Sequence, residues 1–320
     1  MTRHGLALRM LALFGVVLLM PGMAPAGQAV AEPLITTPPD WPWWALPLAL
    51  FIGTSALGVL AVLAGVGGSV LFVPLVSGFV PFMHIDFVRG AGLMVALSGA
   101  LSAGPRLLRG NLVNLRLALP VSLMASAGAI VGALVGLALP ATLVQIFLGC
   151  VILMMAVIMT VFKTGDVDPT RPKDRLATWL GISSTYNDPL TGESITWEPR
   201  RMLLGLLLFT GVGLMAGMFG LGAGWANVPV LNLVMGVPLR FAVATSYFLL
   251  AITDTAAALI YFNRGAVLPI IAIPSVLGII LGARIGSALL VKVKISFIKR
   301  VVIIVLILAG LRALLRGFGI

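Results

Sequence analysis

Eight long apolar runs punctuate the chain, at about 45–63, 87–107, 117–139, 142–162, 202–219, 241–262, 267–290 and 298–315. Each is close to the roughly 20 residues an α-helix needs to cross the hydrocarbon core of a bilayer. Two shorter apolar pieces, about 69–80 and 225–236, follow the first and fifth runs. Twelve helical residues reach only about 18 Å at 1.5 Å each. The pattern predicts eight spanning helices and two re-entrant or half helices.

The two short pieces open on one motif. Gly65-Val66-Gly67-Gly68-Ser69 leads to Pro74, and Gly220-Leu221-Gly222-Ala223-Gly224 leads to Pro229. Glycine supplies unusual backbone angles and close approach; proline removes a donor and stops the helix behind it. Both segments are expected to break at matching places near the bilayer middle. Interrupted segments at corresponding positions of two halves point to a transporter's binding site, because broken backbone survives in lipid only where protein or a watery cavity satisfies it. The correspondence continues in Arg109-Gly110 with Arg264-Gly265. Further on, Gly128-x-x-x-Gly132-Ala133-x-x-Gly136 matches Gly278-x-x-x-Gly282-Ala283-x-x-Gly286. That small-residue spacing lets helix backbones pack closely in lipid. The predicted fold is an all-α polytopic membrane protein with two homologous repeats, 43–163 and 201–316. Each repeat has four long helices and one broken or half helix.

Composition agrees. Of 320 residues, 60% are hydrophobic and 10% charged, and the mean hydropathy is +1.14. A soluble fold could not cover so much apolar surface. The net charge of +11 sits mostly in short loops and reads as topology, positive charge held in the cytoplasm. No aromatic-interleaved basic patch accompanies it, so nucleic-acid binding is rejected. Arg106, Arg109 and Arg116 mark one cytoplasmic loop, and Lys292, Lys294, Lys299 and Arg300 another; the uncharged turn at 139–142 is external. With an external mature N-terminus, these positions require the 69–80 piece to cross back, which makes the repeats inverted. A strictly re-entrant piece makes them parallel. The charge count favours inversion, although Arg264 counts against it.

Residues 1–31 have the layout of a secretory signal: basic Arg3, His4 and Arg9, an apolar stretch over 11–20, and Ala29-Val30-Ala31. An uncleaved extra helix is the alternative. Trp41, Trp43 and Trp44 suit an interfacial belt. The polar stretch 164–200 connects the repeats, with a gating or docking role as the alternative. Within it, 185–192 followed by Ile195-Thr196-Trp197 predicts a small hairpin. Cys150, the only cysteine, forms no internal disulfide and reads as a small core residue.

Ionisable and polar residues at membrane depth are the functional candidates. Around the breaks these are Gly67, Gly68, Ser69, Gly222, Gly224 and Asn227, with Asn232 adding a second amide; Thr245 and Ser246 open the next helix. Free N–H groups at helix N-termini attract anions, and two such ends facing each other suit a small oxyanion. Arg89 and Arg240 begin the helices after the broken segments and either snorkel to the interface or meet substrate. Arg284 lies within the second small-residue pattern and Asp254 near the middle of its helix. One reading pairs the two structurally; the other has Arg284 bind the anion and Asp254 carry a coupling proton. His84, beside a loop, reads as solvated. No H-E-x-x-H, CxxC, P-loop or G-x-S-x-G pattern occurs, so no catalytic residue, metal ligand or cofactor is assigned. The partners expected are a small anionic substrate and the lipid bilayer, with a homo-oligomer left open.

These features resemble the TauE/SafE family of sulfite and organosulfonate exporters, over about 45–163 and 201–316. The resemblance rests on the doubled motif ending in Pro74 and Pro229, on Ala242-Val243-Ala244-Thr245-Ser246, on Arg264-Gly265 and on Gly282-Ala283-Arg284-Ile285-Gly286. It implies a secondary transporter in the bacterial inner membrane that moves small sulfur-containing or carboxylate anions outward without ATP. Uptake of a similar anion, or a role as a membrane scaffold or assembly factor, are the alternatives. The chain departs from the family pattern at Arg89-Gly90-Ala91-Gly92, which replaces an Ala-Thr-Ser-like run. Trp225 is large for the motif, and Asp254 is unusual in its helix.

Overall fold

Each of the eight long apolar runs is helical. In a computed structural model, the residues described are 42–64, 69–80, 83–109, 113–161, 174–179, 181–182, 184–187, 194–289 and 295–318. The signal at 1–31, Trp41, Gly67, Gly68 and the Arg240 side chain lie outside them. Helix α1 (Ala45–Ala64) precedes the short α2 (Ser69–Phe79), then α3 (Ile85–Arg109), α4 (Leu115–Ala138) and α5 (Ala141–Val161). The connector carries α6 (Arg175–Trp179), β1 (Ser184–Asn187) and β2 (Ser194–Trp197). The second half runs α7 (Met202–Phe219), α8 (Gly224–Pro229) with a π turn (Val230–Val234), α9 (Leu239–Asn263), α10 (Pro269–Leu289) and α11 (Ile295–Gly317). Six of these helices are long and apolar enough to cross a membrane, and 45–61 and 69–78 form shorter apolar segments. The protein is a multi-pass membrane protein.

Two local expectations are corrected. Neither proline ends a helix where the sequence reading put the stop. Pro74 lies inside α2 and Pro229 at the junction of α8 with the π turn. In the second half the interruption falls on the 220–223 linker instead, and the wider π turn absorbs the hydrogen-bond mismatch left after Pro229. Cys150 is exposed. Its neighbour Gly149 is the residue that meets α11, at the Gly310 carbonyl, and one residue's rotation of about 100° carries Cys150 off that contact.

The helices pack across the two halves. The fourth helix of the first half, α4, crosses α7, the first of the second; conversely α10 crosses α1. Helix α5 lies along α11, and α3 lies against α9. Small residues permit the two crossings. A methyl on Gly132 would strike the Leu214 carbonyl, one on Gly213 the Ala125 carbonyl, and one on Gly282 the Ser55 carbonyl. Without hydrophobic drive between helices, such close backbone contact carries association in lipid. Leu123 and Leu119 on α4, Ile273 and Leu277 on α10 and Leu308 on α11 are exposed and form an apolar outer surface. The polar groups lie inside: Ser69, Arg89, Asn227, Thr245, Thr253 and Asp254 are all buried.

The described parts of the connector pack against the helices. Strands β1 and β2 pair antiparallel, Ser184 opposite Trp197. The Trp197 ring lies 5.3 Å from that of Phe241 on α9. Ile182 and Trp197 are buried in one cluster with Leu117, Met202 and Phe241. The Met202 amide donates to Asp174 Oδ2 at 2.6 Å, and Arg116 Nη1 donates to the Gly181 carbonyl at 3.0 Å. This segment therefore docks on the ends of α4, α7 and α9.

Candidate functional site at the helix break

Helix α7 stops at Gly220, whose φ of 67° is left-handed and whose amide donates to the Ala216 carbonyl at 2.9 Å. This is the ordinary glycine ending of a helix. Gly222 repeats the left-handed conformation, with φ 64°, and α8 begins two residues on. The break is thus a four-residue linker, 220–223, held between two helices.

The start of α2 meets this linker. Ser69 Oγ donates to the Leu221 carbonyl at 2.5 Å. A Cβ on Gly222 would lie 2.8 Å from Ser69 Oγ, 3.0 Å from the Ala96 Cβ on α3 and 3.1 Å from Asp254 Oδ2 on α9. Elements from both halves therefore converge on Gly222. Three residues singled out from the sequence, Ser69, Gly222 and Asp254, come together here, with Gly224 and Asn227 next along α8. Ala96 and the Leu221 carbonyl were not foreseen; a small apolar residue and a backbone oxygen carry no signal in sequence.

The polar groups around the break are poorly satisfied. Asp254 is completely buried, and neither carboxylate oxygen has a hydrogen bond. The Ala223 backbone faces it, outside ordinary hydrogen-bond geometry. Asn227 is equally buried with both amide atoms unpartnered, and so are the hydroxyls of Thr245 and Thr253. Buried polar atoms without partners are costly, and where a fold retains several together a ligand or transport role is the usual reason. Thr245 and the buried Ser246 sit about 13 Å and 12 Å along α9 from Asp254, at 1.5 Å per residue, so they belong to a separate level of the interior.

The two arginines fall elsewhere. Arg89 does not snorkel. Helix α3 begins at Ile85, earlier than the apolar pattern suggested, which places Arg89 a turn inside the bundle at 1% exposure. Its Nη1 donates to the carbonyls of Met218 at 2.8 Å and Gly136 at 3.1 Å. Its Nη2 pairs with Asp86, and the guanidinium stands 5.8 Å from the Tyr261 ring centroid. Tyr261 in turn donates to the Gly217 carbonyl at 3.0 Å. These carbonyls belong to the last turns of α4 and α7, where no helical donor remains and the helix dipole is negative. Arg89 therefore clamps two helix ends beside the break, with both Nη groups occupied by protein, while its buried Nε has no partner. The i,i+3 spacing of Asp86 and Arg89 was the available signal. Arg284 is exposed on α10, beside the exposed Leu281 and Ile285. It lies two residues, about 200° of rotation, from Gly282, which faces α1. Asp254 forms no ion pair with it among the described residues. His84 is exposed, 3.5 Å from Asp86.

A family model described as sulfite exporter TauE/SafE matches residues 49–313. The chain belongs to the TauE/SafE family. Among curated relatives of this TauE/SafE protein is the "Probable membrane transporter protein YunE" of Bacillus subtilis (strain 168). It is 25% identical over 81% of this chain and 94% of its own length. The "Probable membrane transporter protein ORF9" of Sinorhizobium sp is 26% identical over 83% and 91%. No solved structure matches.

In this TauE/SafE protein the Arg89 clamp is expected to support folding rather than touch substrate. Arg89→Leu should lower stability by about 3–5 kcal/mol, as breaking one partner of a buried charge network does. Arg89→Lys should recover part of the loss, since a point charge lacks the fork that serves two carbonyls. Thermal unfolding of the purified variants in detergent measures both.

Proposed function

We propose that the protein is a secondary transporter that exports a small anion, such as sulfite or an organosulfonate, across the bacterial inner membrane. The observation that supports this most is the contact between the start of α2 and the Leu221–Ala223 linker, Ser69 Oγ to the Leu221 carbonyl at 2.5 Å. Backbone amides at interrupted helices present donors and positive dipole ends to an anion, the arrangement transporters use at mid-membrane. In this reading Gly67, Gly68, Ser69, Gly222, Gly224 and Asn227 form the anion site, Thr245 and Ser246 lie on its path, and Arg89 positions the break. The two halves are read as inverted repeats that rock about the α3–α9 pair. Both curated relatives are named as probable membrane transporters, in keeping with the reading.

Reconstituted proteoliposomes loaded with labelled sulfite, isethionate or sulfoacetate test it. The expected result is saturable efflux of at least one anion that empty liposomes lack. Equal leakage from both, for every anion, overturns the reading, and saturable uptake without efflux replaces export by import.

A further inference from the structure

An anion placed at the Leu221–Gly222 break meets a carboxylate there. Asp254 Oδ2 stands 3.1 Å from where a Gly222 Cβ would be, on the same side as Ser69 Oγ. The group is completely buried, and neither oxygen is hydrogen-bonded. A lone charge cannot stay in such a place, so a proton or a cation has to neutralise it. A hard metal cation needs about six oxygen ligands or more. Here Ser69 Oγ and the Leu221 oxygen are already bonded to each other, and no group of three His, Cys, Asp or Glu side chains gathers among the described residues. A proton needs one oxygen only.

No other described charge stands ready to do the work. On α3, Asp86 and Arg89 pair with each other, about 15 Å and 10 Å along the helix from Ala96, and Arg106 and Arg109 lie about 15 Å and 20 Å from it in the other direction, at 1.5 Å per residue. On α4, Arg116 is exposed and bonded to Gly181 at the helix start. Helices α2, α7 and α8 and the π turn carry no charged residue. On α9 itself the other titratable side chains are Tyr247 and Tyr261, each seven residues from Asp254, and Arg240 at the helix start.

We propose that Asp254 is the proton-coupling residue of this transporter. Its ionised carboxylate and the transported anion are alternative occupants of the break, so the anion binds only when a proton from the aqueous phase sits on an Asp254 oxygen. Anion and proton then cross together, one O–H bond forming on one side and breaking on the other. The inference rests on the anion-site reading above. With a monovalent anion the cycle moves no net charge, so export runs down the anion gradient and a more acidic exterior opposes it.

The test uses the full chain in detergent with methanesulfonate and isethionate, which stay ionised throughout the range. In weak buffer with a pH-sensitive dye, binding should take up about one proton per anion wherever Asp254 is ionised. In that range affinity should fall about tenfold per pH unit. Asp254→Asn, a neutral isostere of the protonated acid, should bind both anions with a flat pH profile and no proton uptake. If that variant fails to fold, the wild-type proton stoichiometry decides alone. Binding without proton uptake, with sodium dependence, or with uptake intact in Asp254→Asn overturns the coupling and leaves the anion site standing. Binding of neither sulfonate at any pH overturns both.

Discussion

Replacing Gly222 by leucine should abolish transport while leaving membrane insertion intact. The backbone at this residue is left-handed, φ 64°, a conformation that costs an L-residue with a side chain about 1–2 kcal/mol. Space is the larger obstacle. A first carbon would already lie 2.8 Å from Ser69 Oγ and 3.1 Å from Asp254 Oδ2, and leucine adds three more atoms to the place assigned to the anion. Overpacking of this kind typically adds about 1–3 kcal/mol. The sum strains the site but leaves the spanning helices and their crossings untouched, so the protein should still reach the membrane. Efflux from proteoliposomes containing equal amounts of folded wild-type and Gly222→Leu protein measures the effect. Wild-type flux in the variant would reject the placement of the site. Gly222→Ala should fall between the two.

Gly213→Val should prevent folding rather than transport. A Cβ at Gly213 would land on the Ala125 carbonyl of α4, and a backbone oxygen on a neighbouring helix cannot rotate away as a side chain can. The two helices would have to separate along the whole crossing, and packing falls steeply with even a small gap. An effect on the order of 3 kcal/mol or more is expected, at the upper end for overpacked sites, with monodisperse protein lost on size exclusion. Two residues along the same helix, Gly211 has no atom within 4 Å of its virtual Cβ. Gly211→Ala should therefore be neutral or gain up to about 1 kcal/mol from helix propensity. Equal behaviour of the two variants would mean that α7 and α4 do not cross as described.

The helices were legible because each apolar run is long and uninterrupted, so length and hydropathy suffice. The glycine break at 220–223 was legible too, since the motif occurs twice. Side-chain direction was not. Arg284 and Asp254 are both charges in apolar helices, and hydropathy alone cannot tell which is buried in the bundle and which is exposed. The face is settled by which residues α10 gives to α1, and Gly282 is one of them. Arg89 was read as a helix-end residue because α3 was expected to start near it. Helix ends are the least certain part of any pattern reading, and the error of about one turn moved the residue from the interface into the bundle. Cys150 shows the same limit on a smaller scale, one residue of rotation away from a contact.

The exchange of partners between halves has a consequence for biosynthesis. Helix α1 leaves the ribosome early, yet the glycine face that receives it is on α10, Gly278 and Gly282, more than two hundred residues later. At about 5–20 residues per second, α1 waits on the order of 10–40 s for its mate. Throughout that interval Thr54, Ser55 and Gly58 face lipid or a helper protein instead of α10. The α1 surface that α10 covers in the finished protein therefore has no second-half partner until most of the chain has been made.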